Sequence, residues 1–315
     1  MRRRDAIFGI VSAPIAVRAL LGESPLRSFP MPLSMSGGPL TTFQNGFLPV
    51  IDSDLTVQVV DATGNVVGST RVTVPGAAVS RVYAAAVSRD RVIIAGAAAK
   101  DPEGRIASLL VFSDFKGNII RVTRTTPFAA SKFIYLHDGT LLCLGREHDD
   151  QFEEVPGHKI LRFYSSDGKL TSQALNVDLL VPQGRRLHPL NWDLVPGPDR
   201  IGLLDRVNLR YVEVDYKGAI VRPLGSLGIE APTRVTGIAL LSNGDRLVST
   251  DQAGHSPLGL YRLKDSSNGQ VTKTSADEFK VPDGSKGLMV IGVWQTDVVF
   301  LTMPIDRIVF APQAV

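Results

Sequence analysis

An all-β ring, a β-propeller of four-stranded antiparallel blades, is the fold class that this 315-residue sequence predicts. Three observations carry the prediction. A turn motif recurs about every fifty residues, strand-forming segments flank each copy, and no apolar period of 3.6 residues is sustained between positions 40 and 315. Hydrophobic residues make up 44% of the chain and charged ones 21%, a balance that can bury a core. No apolar run approaches the roughly 20 residues of a membrane-spanning helix.

The turns come first. Asp61-Ala62-Thr63-Gly64, Asp114-Phe115-Lys116-Gly117 and Asp215-Tyr216-Lys217-Gly218 share the pattern Asp-x-x-Gly, and Ser165-Ser166-Asp167-Gly168 and Ser266-Ser267-Asn268-Gly269 vary it. The five glycines stand 53, 51, 50 and 51 residues apart. Asp or Ser at the first position accepts from backbone amides further along the turn, and Gly at the fourth takes the left-handed conformation that closes the hairpin. Leu109–Phe112 before Gly117 and Asn118–Val122 after it are the strands such a turn joins.

A second hairpin precedes each of these, as in Phe133–Leu142 and Gly237–Val248, so each unit holds four short strands, A to D. Four complete units run from about Arg81 to Thr274. Further strands are expected near 43–50, 55–60 and 66–73 and near 289–294, 298–303 and 307–311. Sixteen plus six strands exceed the twenty of a five-bladed ring, so six blades are expected in preference to five, the terminal ones incomplete.

The run Ile160-Leu161-Arg162-Phe163-Tyr164-Ser165-Ser166-Asp167-Gly168-Lys169-Leu170 resembles the second half of an NHL-type repeat. The resemblance covers most of the chain after residue 42, as a blade pattern only. It implies the six-bladed propeller superfamily, whose members include ligand-binding sensors, scaffolds and metal-dependent lactonases. The long, variable B–C crossings depart from the pattern, and no catalytic residue carries over.

The net charge of +3 is concentrated at the N-terminus. Arg2-Arg3-Arg4 precede the short apolar stretch Ala6–Val17, the pattern of an export signal, and Arg3-Arg4 resemble a twin-arginine pair. Residues 1–19 are therefore read as the signal, 20–42 as a Pro-rich lead-in or tether, and 43–315 as one propeller domain. Removing 1–19 takes away four Arg and one Asp, leaving 30 basic and 30 acidic residues. The mature chain is then formally neutral, which argues against a nucleic-acid partner and leaves no transmembrane anchor. A periplasmic or extracellular location is expected.

Connections alternate between the two edges of an antiparallel blade, so the A–B and C–D hairpins share one rim and the B–C and D–A connections the other. Four of the five histidines fall on the second rim, where the crossings are long; His137 falls on the hairpin side. Rim residues His148, Asp150, His158 and His255 could hold one divalent metal ion, but they lack a recognised ligand spacing. A cation opens the A strand of every unit: Arg81, Lys132, Arg186, Arg234 and Lys286. With His188 they could form a positive collar at the channel mouth that attracts an anionic ligand. The competing reading is structural, with these cations covering apolar surface or pairing with rim acids such as Asp251. Trp192 and Cys143 read as core residues. A single Cys excludes an intramolecular disulfide and multi-Cys zinc or iron–sulfur sites.

Phosphate-cradling glycine loops are absent, and Gly254-His255-Ser256-Pro257-Leu258-Gly259 misses the Gly-x-Ser-x-Gly elbow of serine hydrolases by one residue. The residues favour an exported, non-enzymatic propeller without a cofactor. It would bind an anionic small molecule or a protein partner at the B–C/D–A rim. The alternatives are a metal-dependent hydrolase or lactonase on the same scaffold, with one divalent ion, and a purely structural interaction module.

Overall fold

Runs such as Leu141-Leu142-Cys143-Leu144 are apolar at every position rather than at alternate ones. A strand of that kind needs cover on both faces, and a ring of stacked blades supplies it. The computed structural model describes residues 26–31, 41–52, 55–151, 153–181, 187–188, 191–230, 233–252, 255–265 and 270–313 and shows this ring. Residues 1–19, read as an export signal, most of the lead-in, Arg186 and the turn at Gly269 lie outside the described residues.

In chain order the strands are β1 (Arg27–Pro30), then β2 (Phe47–Ile51), β3 (Thr56–Asp61) and β4 (Val66–Arg71) of the first blade. The second blade holds β5 (Ala78–Val87), β6 (Ile93–Lys100), β7 (Ile106–Ser113) and β8 (Ile119–Arg124). The third holds β9 (Phe128–Tyr135), β10 (Leu141–Glu147), β11 (Lys159–Tyr164) and β12 (Leu170–Asn176). The fourth holds β13 (Trp192–Pro196), β14 (Arg200–Asp205), β15 (Arg210–Asp215) and β16 (Ile220–Ser226). The fifth holds β17 (Thr233–Leu240), β18 (Arg246–Gln252), β19 (His255–Asp265) and β20 (Val271–Ser275). The sixth holds β21 (Leu288–Trp294), β22 (Asp297–Thr302) and β23 (Arg307–Pro312). Its outer strand is β1, paired antiparallel with β23 from Arg27↔Phe310 to Pro30↔Arg307. The segment read as a lead-in thus contains a strand of the ring. Six blades are present, and the first is incomplete, with three strands among the described residues.

Six apolar clusters fill the six interfaces between neighbouring blades, including the one that joins the sixth to the first through Phe43, Leu48, Val299 and Phe310. Successive residues of one strand face opposite neighbours. In β22, Val298 and Phe300 pack toward the fifth blade while Val299 and Leu301 pack toward the first. Trp192 is 3% exposed in the cluster between the third and fourth blades, and Cys143 is buried between the second and third. Burial pushes the Cys143 thiol well above its ordinary value, so it stays neutral and unreactive.

The turn chemistry follows the sequence. Gly64, Gly117, Gly168 and Gly218 have φ of 80°, 88°, 75° and 84°. Asp114 Oδ1 accepts from the amides of Lys116 and Asn118 at 2.9 Å each, and Asp61 and Asp215 repeat the arrangement. Each of these turns also abuts the outer strand of the preceding blade. A Cβ on Gly218 would lie 2.2 Å from Ala174 Cβ of β12, and one on Gly64 would lie 2.8 Å from the Pro30 carbonyl of β1. Among the described residues no helix is long and apolar enough to cross a membrane.

Candidate functional site

Five blades present an inner strand to the central channel. In the first blade that place is taken by the short segment Thr41–Gly46. Phe43 makes a single parallel bridge to Gly292 of β21, donating its amide to the Ile291 carbonyl at 2.9 Å. A Cβ at Gly292 would come within 2.7 Å of the Phe43 carbonyl, so glycine permits the approach. Gln44 Oε1 accepts from the Tyr135 amide of β9 at 3.0 Å, two blades away, and Asn45 Nδ2 donates to the Val87 carbonyl of β5 at 2.9 Å. The segment therefore plugs the channel. Thr41 and Thr42 line a small space on one side, and Gln44 and Asn45 line a large one on the other.

On the B–C/D–A side the space holds about 30 Å³, room for one water, beside Ser131, Lys132 and Asp193. Lys132 Nζ lies 3.0 Å from Asp193 Oδ1, and Arg206 pairs with the other oxygen of the same carboxylate. Burial works to raise the Asp193 pKa, but the charges of Arg206 and Lys132 outweigh it and hold the carboxyl below its usual range. Arg234 pairs with Asp251 at 2.6 Å, as the structural reading of the collar anticipates. Arg81, His188 and Lys286 are exposed, and no contact among the collar residues is seen in the described part of the chain.

Of the histidine–carboxylate set, the structure describes His148, Asp150 and His158 and the backbone of His255. His158 is buried, with Nδ1 2.7 Å from the Val155 carbonyl and 3.9 Å from Glu154 Oε1. His148 donates its amide to the Pro127 carbonyl, Asp150 is exposed, and His255 opens β19 opposite Gln252. Among the described residues no group of three or more His, Cys, Asp or Glu side chains is placed to hold a metal ion.

The largest described cavity opens on the hairpin rim, where the inner strands end. It has a volume of about 500 Å³ and is lined by Gln44, Asn45, Arg89, Tyr135, His137, Leu240, Trp294 and neighbours that include Pro196 and Pro198. A smaller lobe of about 230 Å³ shares Asn45, Arg89, Tyr135 and His137 and adds Asp90 and Asp138. Arg89 stands at the junction, with side-chain contacts to Asn45 Oδ1 at 3.4 Å and His137 Nδ1 at 3.2 Å and no ion-pair partner among the described residues. His137 packs edge-on against Tyr216 at 5.8 Å, and the Tyr216 hydroxyl donates to the Gly197 carbonyl at 2.6 Å. The imidazole is thus fixed from behind. Trp294 is fixed by edge contacts to Phe43 at 6.2 Å and Phe310 at 5.8 Å. Burial pushes the Tyr135 phenol well above its ordinary value, so it remains neutral. Gln44 is 8% exposed, and its amide nitrogen has no hydrogen-bond partner.

This cavity escapes sequence reasoning apart from His137. Its walls come from the ends of several inner strands, each followed by a short hairpin with nothing unusual in it. The available signal is the large side chain at or just past the end of an A strand: Arg89, Tyr135, Leu240 and Trp294.

No protein-family model matches the chain, and no curated relative does. Solved structures share its shape. A Bacteroides fragilis protein named as a candidate exported protein is 15% identical, with 91% of this chain and 94% of that one covered and a TM-score of 0.51. A Bacteroides caccae protein of unknown function is 12% identical over 81% of each chain, TM-score 0.50. A Bacteroides vulgatus member of the duf4221 family is 10% identical, with 92% and 96% covered, TM-score 0.50. At such identities the likeness establishes the six-bladed propeller fold alone.

Proposed function

We propose that this chain is an exported, non-enzymatic binding propeller that takes a small anionic ligand in the cavity of its hairpin rim. The carrying observation is Arg89, a guanidinium with no carboxylate partner among the described residues, at the junction of two lobes in the largest described cavity. A rigid concave site with a few polar groups among apolar and aromatic walls suits a small ligand. A guanidinium not paired with a carboxylate keeps its charge available to an anion. On the opposite rim Lys132 and Arg234 already face carboxylates, which shifts the binding reading from the collar to the hairpin side. Export is supported by the Arg-rich start and short apolar run of residues 1–19.

The test is a thermal-shift screen of the full chain against monocarboxylates, phosphate esters and their neutral analogues. An anion at 100 times its dissociation constant should stabilise the protein by about 2.7 kcal/mol through mass action. The increment should disappear in Arg89→Gln and persist in Arg234→Gln. Loss in Arg234→Gln with retention in Arg89→Gln would return the site to the opposite rim.

A further inference from the structure

With the hairpin-rim cavity as the binding site, its chemistry specifies more than the sign of the ligand. Resting on that reading of the cavity, we infer that the ligand is a ring-bearing monocarboxylate, with its carboxylate on Arg89 and its ring against Trp294.

The two anchors flank one dipeptide. Arg89 touches the side chain of Asn45 at 3.4 Å, and the next residue, Gly46, faces Trp294, whose Nε1 would lie 3.4 Å from a Cβ placed there. The Asn45 side chain, one Cα–Cα step of about 3.8 Å and the two contact distances put the guanidinium and the indole no more than roughly 16 Å apart. A carboxylate one to three carbons from a ring, in contact at each end, fits within that span.

The recognition chemistry at each end is distinct. Arg89 presents five N–H donors, of which two point to Asn45 and His137. Those remaining can meet a carboxylate by paired hydrogen bonds. At the other end, Trp294, Leu240, Pro196 and Pro198 give flat or apolar surface, and the indole is held by Phe43 and Phe310 before any ligand arrives. Such preorganised aromatic surface favours a ring over a flexible alkyl chain, which loses more conformational freedom on binding. The buried, unpartnered amide nitrogen of Gln44 in the same lining supplies a further donor for an acceptor atom that enters deeply.

The charge count follows from the second lobe. Asp90 and Asp138 line it beyond Arg89, on the side that Trp294 does not line. A second carboxylate on the ligand would meet those acids in the smaller lobe, and in the larger lobe no second Arg or Lys stands among the described lining residues to receive it.

Titration of the full chain with 3-phenylpropionate, its amide and butyrate tests the assignment, read by calorimetry and by tryptophan fluorescence. Trp192 is buried at a blade interface, so a ligand-induced change reports on Trp294. Phenylpropionate should bind at least about tenfold more tightly than either the amide or butyrate and should alter the emission. Arg89→Gln should abolish the preference over the amide, and Trp294→Leu the preference over butyrate, with both variants melting as the parent does. Should Trp294→Leu fold poorly, the parent's Trp294 emission serves instead, changing at saturating phenylpropionate and staying the same at saturating butyrate. Equal affinity for phenylpropionate and butyrate, with Arg89 still required, would overturn the ring assignment and leave the anion-binding reading standing. If no anion of the set binds, both readings fall.

Discussion

On the B–C/D–A rim several charged side chains come in closed sets: Lys132 and Arg206 on Asp193, Arg234 on Asp251, Arg162 on Glu147, and Arg105 on Asp101 and Glu103, while Arg81 and Lys286 are exposed. On the hairpin rim Arg200 is similarly engaged by Asp199 and Glu213, yet Arg89, which contacts Asn45 and His137, has no ion-pair partner among the described residues and borders the cavity. Long loops are the usual place to look for binding groups on a rigid scaffold. Here the crossing at Asp101–Arg105 pairs its own charges, and Lys132, Arg162, Arg206 and Arg234 are taken by acids on neighbouring strands or the next blade. The side chains at the bases of the short hairpins are free to face the channel.

Breaking the Asp193 triad is the harshest test of this contrast. Asp193→Asn leaves Lys132 and Arg206 without a countercharge in a largely buried position, and should lower stability by about 3 kcal/mol in chemical denaturation. Arg89→Gln should change it by no more than about 0.5 kcal/mol. A reversed order would mean that the closed set and the open cation have been confused.

The hairpin rim can be divided further. Gly218→Ala forces a Cβ onto Ala174 and should cost about 2–4 kcal/mol, combining left-handed strain with overpacking. Gly139→Ala, in an A–B turn where a Cβ would meet nothing within 4 Å, should cost about 1 kcal/mol, the strain alone. Equal melting temperatures for the two variants would show that C–D turns do not wedge against the neighbouring blade.

Acid gives a third handle. The Asp193 carboxyl is depressed in the folded chain, so its contribution is fully present above the unfolded value near pH 4 and is lost as pH falls through the folded value. The stability gap between parent and Asp193→Asn should therefore be constant from pH 7 to about pH 5 and shrink below about pH 4. A gap that widens in acid would contradict the assignment. Arg234→Gln, which removes the exposed partner of Asp251, should likewise have a small effect, shifting stability by less than about 1 kcal/mol.

What was legible in the sequence was local and periodic. The C–D turns, their Asp caps and the strands beside them recur at one spacing, so each copy supports the others. Strands expected near 298–303 and 307–311 appear at Asp297–Thr302 and Arg307–Pro312. What escaped is nonlocal. Arg27-Ser28-Phe29-Pro30 is too short and too close to a Pro-rich stretch to read as a strand, and its partner is at the other end of the chain. The plug at Thr41–Gly46 escaped for a related reason: it replaces an inner strand, and its hydrogen bonds go to other blades. The cavity then exists only because ends of strands far apart in sequence meet around that plug.

Because β1 pairs with β23 across 277 to 283 positions, the ring is a clasp whose two halves are synthesised far apart in time. Until the last strand emerges, β1 has no partner, and the outer edge of the sixth blade stays open to any passing strand. Closure is then the step of highest contact order in the molecule, and loop-closure entropy and topology both place it late. Pulsed hydrogen exchange during refolding should protect the amides of β6, β10 and β14 before those linking β1 and β23. Early protection at the clasp would show that the chain ends meet before the blades between them have formed.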